Sequence, residues 1–305
     1  MPQKEQVMSN AKIAKPLSRK AVLVAVNISQ WTARKLDKKV TDETNQRHNA
    51  TKDAGRYNKL LIEKRHLEEL QGLVSKARSL HYKMTRPWAD EGPRILANVL
   101  FSKFSDEFRT LKREFAIAAD RFADAYPSFI EERERSLNGL FNASDYPAAS
   151  EIRSKFNLDL TVLPFPDADD FRSDLDDDTV EEIRTQLRST SASVVDNAMK
   201  HTAQQIIDTV GRMATKLAEY KASGGKGDPA EGVFRDSLVE NVRELAELLP
   251  AFNLTEDPNL DAITTRIQKE LCAEDAKELR ENDVVRAGVQ KSADEIVAAV
   301  SHLFG

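Results

Sequence analysis

"KFNLDLTVLPFPDADDFRSDLDDD", residues 155–178, interrupts a chain that otherwise reads as helix after helix. Phe156, Leu158, Leu160 and Val162 alternate with Asn157, Asp159 and Thr161, the period-two pattern of a strand with one apolar face. Pro164 and Pro166 end the alternation, and seven aspartates follow within residues 167–178. A lone strand is not stable. The other strand-like run is "AVLVAVNI", residues 21–28, although so short an apolar run is also compatible with a helix. Pairing 21–28 with 156–163 predicts a small two-stranded element that ties the N-terminal helices to the second half of the chain. The aspartates then become the entrance to the next helix. Asp177 or Asp178 would serve as N-cap, with Glu181 and Glu182 in the first turn, where the helix dipole favours them.

Outward from that seam the pattern is helical. No proline falls between Ser29 and Arg86, and Tyr57, Leu60, Leu67, Leu70, Val74 and Ala77 share a helical register. Residues 41–55 carry almost no large apolar side chain, so they are either a helix projecting into solvent or a local break. "TRPWADEGP", residues 85–93, is a turn. Phe101, Phe104, Phe108, Leu111, Phe115 and Phe122 form an a/d seam of phenylalanine, which reads as core packing. Pro127 should end or kink that helix, with a further helix running to about Phe141.

Val180, Ile183, Leu187, Val194, Ile206, Val210, Met213, Leu217 and Tyr220 mark one face of a second long helix. Some forty residues make a rod of roughly 60 Å, which needs a partner, and the first long helix is the expected one. "ASGGKGD", residues 222–228, reads as a flexible link. Asp228–Pro229 and Asp257–Pro258 repeat one device, an aspartate N-cap with proline at the first helical position. The helices they open carry Val233, Leu238, Val242, Leu245 and Leu249, then Leu260, Ile263, Ile267 and Leu271, and a last one begins near Asn282. The expected fold is mainly α. Elongated antiparallel long-helix hairpins of coiled-coil character join the two-stranded β element and a C-terminal helical bundle. The expected divisions are a disordered basic arm (1–20), an elongated helical domain (21–222) and the bundle (229–305).

Composition agrees with long helices carrying many ion pairs: charged residues are 31% and aromatics 7% of 305 residues. Cys272 is the single cysteine, so no intramolecular disulfide forms and a reducing cytoplasm is the expected location. The N-terminal segment lacks a signal-type apolar region, and the longest apolar run, residues 21–26, is far short of the roughly 18–20 residues of a membrane span. No membrane contact is expected. The net charge of −5 hides a polarity. Through Arg86 there are 19 basic against 8 acidic residues, a net of +11, and beyond it 26 against 42, a net of −16. Such a division suits an anionic partner for the front, or the two ends meeting within one chain or head to tail between copies.

No motif specifies a chemistry. An EF-hand reading from Asp167 fails at its fifth, sixth and twelfth positions. "SGGKGD" lacks the Ser/Thr and the strand-to-helix context of a P-loop. The five histidines form no H-x-x-x-H or H-E-x-x-H set, and no G-x-S-x-G elbow accompanies the serines. Neither an enzyme, a metal nor a cofactor is expected. The best local candidate is "QWTARKLDKK", residues 30–39, behind an arm carrying Lys12, Lys15, Arg19 and Lys20. On a helix Arg34 and Lys38 would share one face with Lys35 and Lys39 beside them. That patch could hold phosphates, with Trp31 as a stacking platform for nucleic acid.

The succession "NISQWTARKLDKKVTDE" (27–43), "YPAASEIRSKFNLDLTVLPFPDADDFR" (146–172) and "FRDSLVENVRELAELLPAFNLTEDPNL" (234–260), followed by a C-terminal amphipathic helix, resembles an uncharacterised family of phages and bacterial mobile elements. That family is catalogued as domain of unknown function 3150. The likeness runs in order along nearly the whole chain, and the proline–phenylalanine–aspartate segment is its most distinctive part. The family has no established catalytic residues. Its members are commonly encoded beside a MoxR-type AAA+ ATPase and a protein with a von Willebrand factor A-like domain. The resemblance therefore implies a non-enzymatic adaptor or scaffold in a bacterial host cell, self-assembling or acting with those partners. The alternative reading is a nucleic-acid-binding accessory protein of replication or recombination.

Overall fold

A computed structural model describes residues 18–89, 91–171, 173, 175–222 and 231–304. Most of the expected basic arm, the glycine-rich link and the Asp228–Pro229 cap lie outside the described residues. The fold is mainly α with a small antiparallel sheet. The strands expected from the two alternating runs form as β1 (Ala21–Ser29) and, near the middle of the chain, Asn157–Pro164, and they are sheet neighbours.

The sheet is larger than the expected pair. In chain order its strands are β1, β4 (Arg86–Pro87), β5 (Arg94–Ala97) and β6 (Asn157–Pro164), with spatial order β4-β5-β1-β6. β5 pairs antiparallel with β1, Ala21 facing Ala97, and with β4, Arg86 facing Ile95. The "TRPWADEGP" turn thus joins two strands of a hairpin. Strands of two and four residues are too short for their alternation to show in sequence. A separate antiparallel pair, β2 (Arg34–Leu36) and β3 (Asn58–Leu60), sets Lys35 opposite Lys59.

The stretch from Ser29 to Arg86 is therefore not one helix but two. α1 (Lys38–Arg47) is short, and Asn49 beyond its C-terminus takes the left-handed conformation at φ 52°. α2 (Glu68–Met84) carries the buried Leu70, Val74 and Ala77. Tyr57 and Leu60 lie outside any helix, so residues 41–55 contain the local break.

The chain groups into two compact units whose bounds differ from a division at residues 222–229. One comprises Ala25–Lys83 and Lys103–Thr161. Its core is the expected phenylalanine seam of α3 (Phe101–Leu137): Phe104, Phe108, Phe115 and Phe122 are buried, and Phe122 meets Phe156 edge to face at 5.2 Å. α3 runs unbroken through Pro127. A helical proline forfeits one hydrogen bond and costs ~3 kcal/mol, but Phe122, Tyr126 and Phe129 form ring contacts on both sides of it that hold the turns together. A single turn, α4 (Ala149–Ile152), leads into β6.

The other unit comprises Met1–Val24, Met84–Ser102 and Val162–Gly305. Its spine is α5 (Asp177–Glu219), capped by Asp176, whose carboxylate accepts the Thr179 N–H at 2.9 Å. The cap is thus one residue earlier than expected. α6 (Ser237–Phe252), α7 (Pro258–Arg266), α8 (Ala276–Glu281) and α9 (Asp283–Phe304) follow. The expected Asp257–Pro258 device opens α7, with Asp257 accepting the Asn259 N–H at 2.8 Å. Val233, expected inside a helix, precedes α6 and is exposed. The main partner of α5 is α9, and secondarily α6, instead of the first long helix. Val289, Ala293, Ile296 and Val300 give α9 a buried stripe that matches the buried face of α5. Phe165, from the proline–phenylalanine segment, packs edge to face on Trp88 at 5.1 Å. No helix among the described residues is long and apolar enough to cross a membrane.

Arg86, on β4, is 1% exposed. Its Nε donates to Thr202 Oγ1 at 2.8 Å, Nη1 to the Thr85 carbonyl at 2.9 Å and Nη2 to Gln205 Oε1 at 2.6 Å, while its guanidinium carbon sits 3.3 Å from the Phe252 ring centroid. Every one of these partners is neutral. Burial first and the Arg94 charge second push the guanidinium down to about 9, so it remains a cation at neutral pH. Arg86→Ala removes the donor to Thr202 Oγ1 and Gln205 Oε1 and opens a void beside Phe252, and should destabilise this unit by about 2–4 kcal/mol. Arg86→Met, which refills the volume and removes the buried charge, should cost less than Arg86→Ala. Denaturant midpoints at unchanged slope check both.

Candidate functional site

The five residues expected to bind an anionic partner do not lie on one helix. Arg34 and Lys35 are on β2, whereas Lys38 and Lys39 are in the first turn of α1, so the shared helical face of Arg34 and Lys38 does not exist. The reason is local. Asp37 caps α1 by accepting the Val40 N–H at 3.1 Å, and Ala33 takes a left-handed φ of 52°, which turns the backbone between β1 and β2. Trp31 is half-buried and packs edge to face on Tyr126 at 5.7 Å and Phe122 at 6.4 Å. Its ring is part of the phenylalanine core, not a free platform for a base.

Three of the lysines nevertheless converge. A concavity of about 670 Å³ is lined by Lys35, Lys38 and Lys39 together with Leu36, Leu140 and Phe141. Leu36 and Leu140 are exposed. Lysines in the first turn of a helix face the positive end of its dipole and concentrate positive potential there. Lys39 is within 4.0 Å of Glu43, and Lys35 lies 3.4 Å from Asp145, while Lys38 has no partner among the described residues. Four lysines and three carboxylates in the lining leave the site a small positive excess beside its apolar residues.

The floor of the concavity is a locked ion cluster. Lys59, on β3, is 4% exposed. Its Nζ is 2.7 Å from Asp145 and 3.2 Å from Asp37, and it donates to the Leu140 carbonyl at 2.8 Å. Burial alone would lower the Lys59 pKa, but the bonds to Asp145 and Asp37 outweigh it and hold the ammonium above its usual range. Burial would likewise raise Asp145, yet Lys59 and Lys35 hold it below the carboxylate range. Asp37 is lowered first by the Val40 N–H and then, against a raising effect of burial, by Lys59. One ammonium thus fixes β3, the start of α1 and the turn at Asp145.

None of Lys59, Asp145 or Leu140 stood out in sequence. Lys59 sits alone between Asn58 and Leu60, and its partners come from 22 residues before and 86 after it. Three of the seven aspartates have other duties. Asp167 accepts from Ser18 Oγ at 2.9 Å, Asp169 meets Arg188 at 3.3 Å, and Asp176 is a cap.

Removing one member of a buried ion cluster strands the others, so Lys59→Met should cost about 3–5 kcal/mol at neutral pH. Because Asp37 and Asp145 are depressed, the stability they contribute is present above the ordinary carboxylate range and is lost as pH falls below about 4. Lys59 is raised, so its contribution is complete below the ordinary lysine range and is lost as pH climbs above about 10.4. The difference in unfolding free energy between the wild type and Lys59→Met should be flat between those limits and shrink outside them. Comparison with protein-family models, curated proteins and solved structures finds no match to this chain.

Proposed function

We propose that the protein is a non-enzymatic helical adaptor that docks an acidic, leucine-bearing protein segment in the concavity above Lys59. One observation carries this reading. Lys35, Lys38 and Lys39 rim an open site whose exposed Leu36 and Leu140 offer apolar contact, and whose floor is held by a buried ion cluster. A rigid floor lowers the ordering cost of binding, and a mixed rim favours a peptide over a bare anion. The likeness to the mobile-element family supplies the candidate partners, a MoxR-type AAA+ ATPase and a von Willebrand A-type protein, and the charge polarity adds a second copy of the chain. Compact grouping keeps the sign of that polarity but narrows it. The unit holding the concavity carries 22 basic against 18 acidic residues, a net of +4, and the other 23 against 32, a net of −9.

The runner-up is nucleic-acid binding, favoured by exposed Arg34 and Lys38. With Trp31 engaged in the core, such binding would rest on phosphate contacts and lack stacking.

Light scattering after size exclusion, with co-purification against the two candidate proteins, tests the leading reading. The expected result is an oligomer or a stable complex, weakened at least tenfold by reversing Lys35, Lys38 and Lys39 to glutamate. A strict monomer that ignores both partners would sink it. The nucleic-acid reading predicts affinity that falls steeply with salt and is lost when Arg34, Lys35, Lys38 and Lys39 become alanine. Affinity that survives those changes removes the surface.

A further inference from the structure

Away from the concavity, in the same unit, one histidine and two glutamates converge. Glu63, His66 and Glu132 each offer one ligand atom, and these atoms all lie within 4.8 Å of one another. Glu63 is the residue before the single 3-10 turn Lys64–Leu67 that contains His66. At three residues per turn, positions i and i+3 fall on one face, which puts the carboxylate and imidazole side by side. Glu132 arrives from α3, with Oε2 2.7 Å from His66 Nε2. The imidazole is stacked on Phe129, centroids 3.9 Å apart and planes 21° apart, which fixes the direction of its nitrogens.

Arg65 supplies the cation that two such close carboxylates require. Its Nε is 3.1 Å from Glu63 Oε2, and its Nη2 is ion-paired with Glu132. The Arg65 side chain is 61% exposed, whereas those of Glu63, His66 and Glu132 are 34%, 19% and 27% exposed. The positive charge therefore comes from the least embedded member of the cluster, on a flexible stem that can swing into water without opening a void.

We propose that Glu63, His66 and Glu132 form a site for zinc or a neighbouring borderline divalent ion, which binds as Arg65 swings out. One imidazole with two carboxylates is a donor set such ions accept, with water completing the coordination. Ligand atoms around a tetrahedral zinc at ~2.0–2.1 Å stand about 3.3 Å apart. The present separations, 2.7 Å between His66 Nε2 and Glu132 Oε2 and at most 4.8 Å within the set, bracket that value, so side-chain adjustment alone closes the site. The ion would clamp the turn before α2 to α3. Local spacing could not disclose this set, because Glu132 lies 66 residues beyond His66.

The test is calorimetric titration of the chelator-treated full-length chain with zinc. One ion per chain is expected, with affinity reduced at least tenfold in both His66→Ala and Glu132→Gln. Arg65→Ala should bind as tightly as the wild type or tighter, since a competing cation is gone. Cys272→Ser should leave binding unchanged. Saturating zinc should raise the melting temperature of the wild type and of Arg65→Ala, but not of His66→Ala. Should His66→Ala fail to fold, judged by circular dichroism without metal, Glu63→Gln takes its place. No saturable binding, binding unmoved by the ligand substitutions, or a loss on Arg65→Ala equal to that on Glu132→Gln would each overturn the proposal.

Discussion

The C-terminal helices are organised around a charge that has no opposite charge beside it. Arg86 lies 1% exposed among Thr85, Thr202, Gln205 and Phe252. Desolvating a guanidinium is costly unless its N–H groups are met, and here the Thr85 carbonyl and two side chains of α5 accept them while the Phe252 ring of α6 covers its face. Thr202 is itself oriented by donating to the Ala198 carbonyl at 2.9 Å, which leaves its oxygen free to accept from Arg86. Displacing β4, α5 or α6 alone would expose the cation to an apolar wall. The same field reaches His201, whose pKa is lowered first by desolvation and then by Arg86 and Arg94, against an opposing effect of Asp208.

The second unit handles buried charge in the opposite manner. Lys59 is enclosed by two carboxylates and a carbonyl, and the cluster is anionic before the rim lysines are added. The two arrangements differ in what substitution does to them. Around Arg86 the neighbours left behind are dipoles; around Lys59 they are charges, and stranded charges are the more damaging.

Much of the architecture was legible because it is periodic. The phenylalanine seam of α3, the alternation through Phe156, Leu158, Leu160 and Val162, and the Asp257–Pro258 cap each depend on neighbours within a few residues; the cap forms as read, whereas Phe101 in the seam and Val162 in the alternation are exposed. What escaped reading is set by distant residues. β2, β3 and β4 have three, three and two residues, too few to show a period, and exist because partner strands saturate their backbones. Trp31 looked available because basic residues follow it, but Phe122 and Tyr126, some ninety positions later, claim its ring. Of the candidate site, the lysines were visible and the floor was not. A lone Lys59 between Asn58 and Leu60 carries no sign of the aspartates that enclose it.

The neighbourhood of β1 and β6 also sets a clock on biosynthesis. β1 ends at Ser29 and β6 begins at Asn157, so 128 positions separate them. A ribosome adding ~5–20 residues per second needs on the order of ten seconds to cover that distance. For that interval a valine-rich strand has one of its sheet neighbours missing and its N–H and C=O groups open to any extended chain nearby. The β4–β5 hairpin emerges much earlier and can shield one side of β1 while the other waits. The short β5 strand just after the "TRPWADEGP" turn can thus cover one edge of β1 before β6 is made.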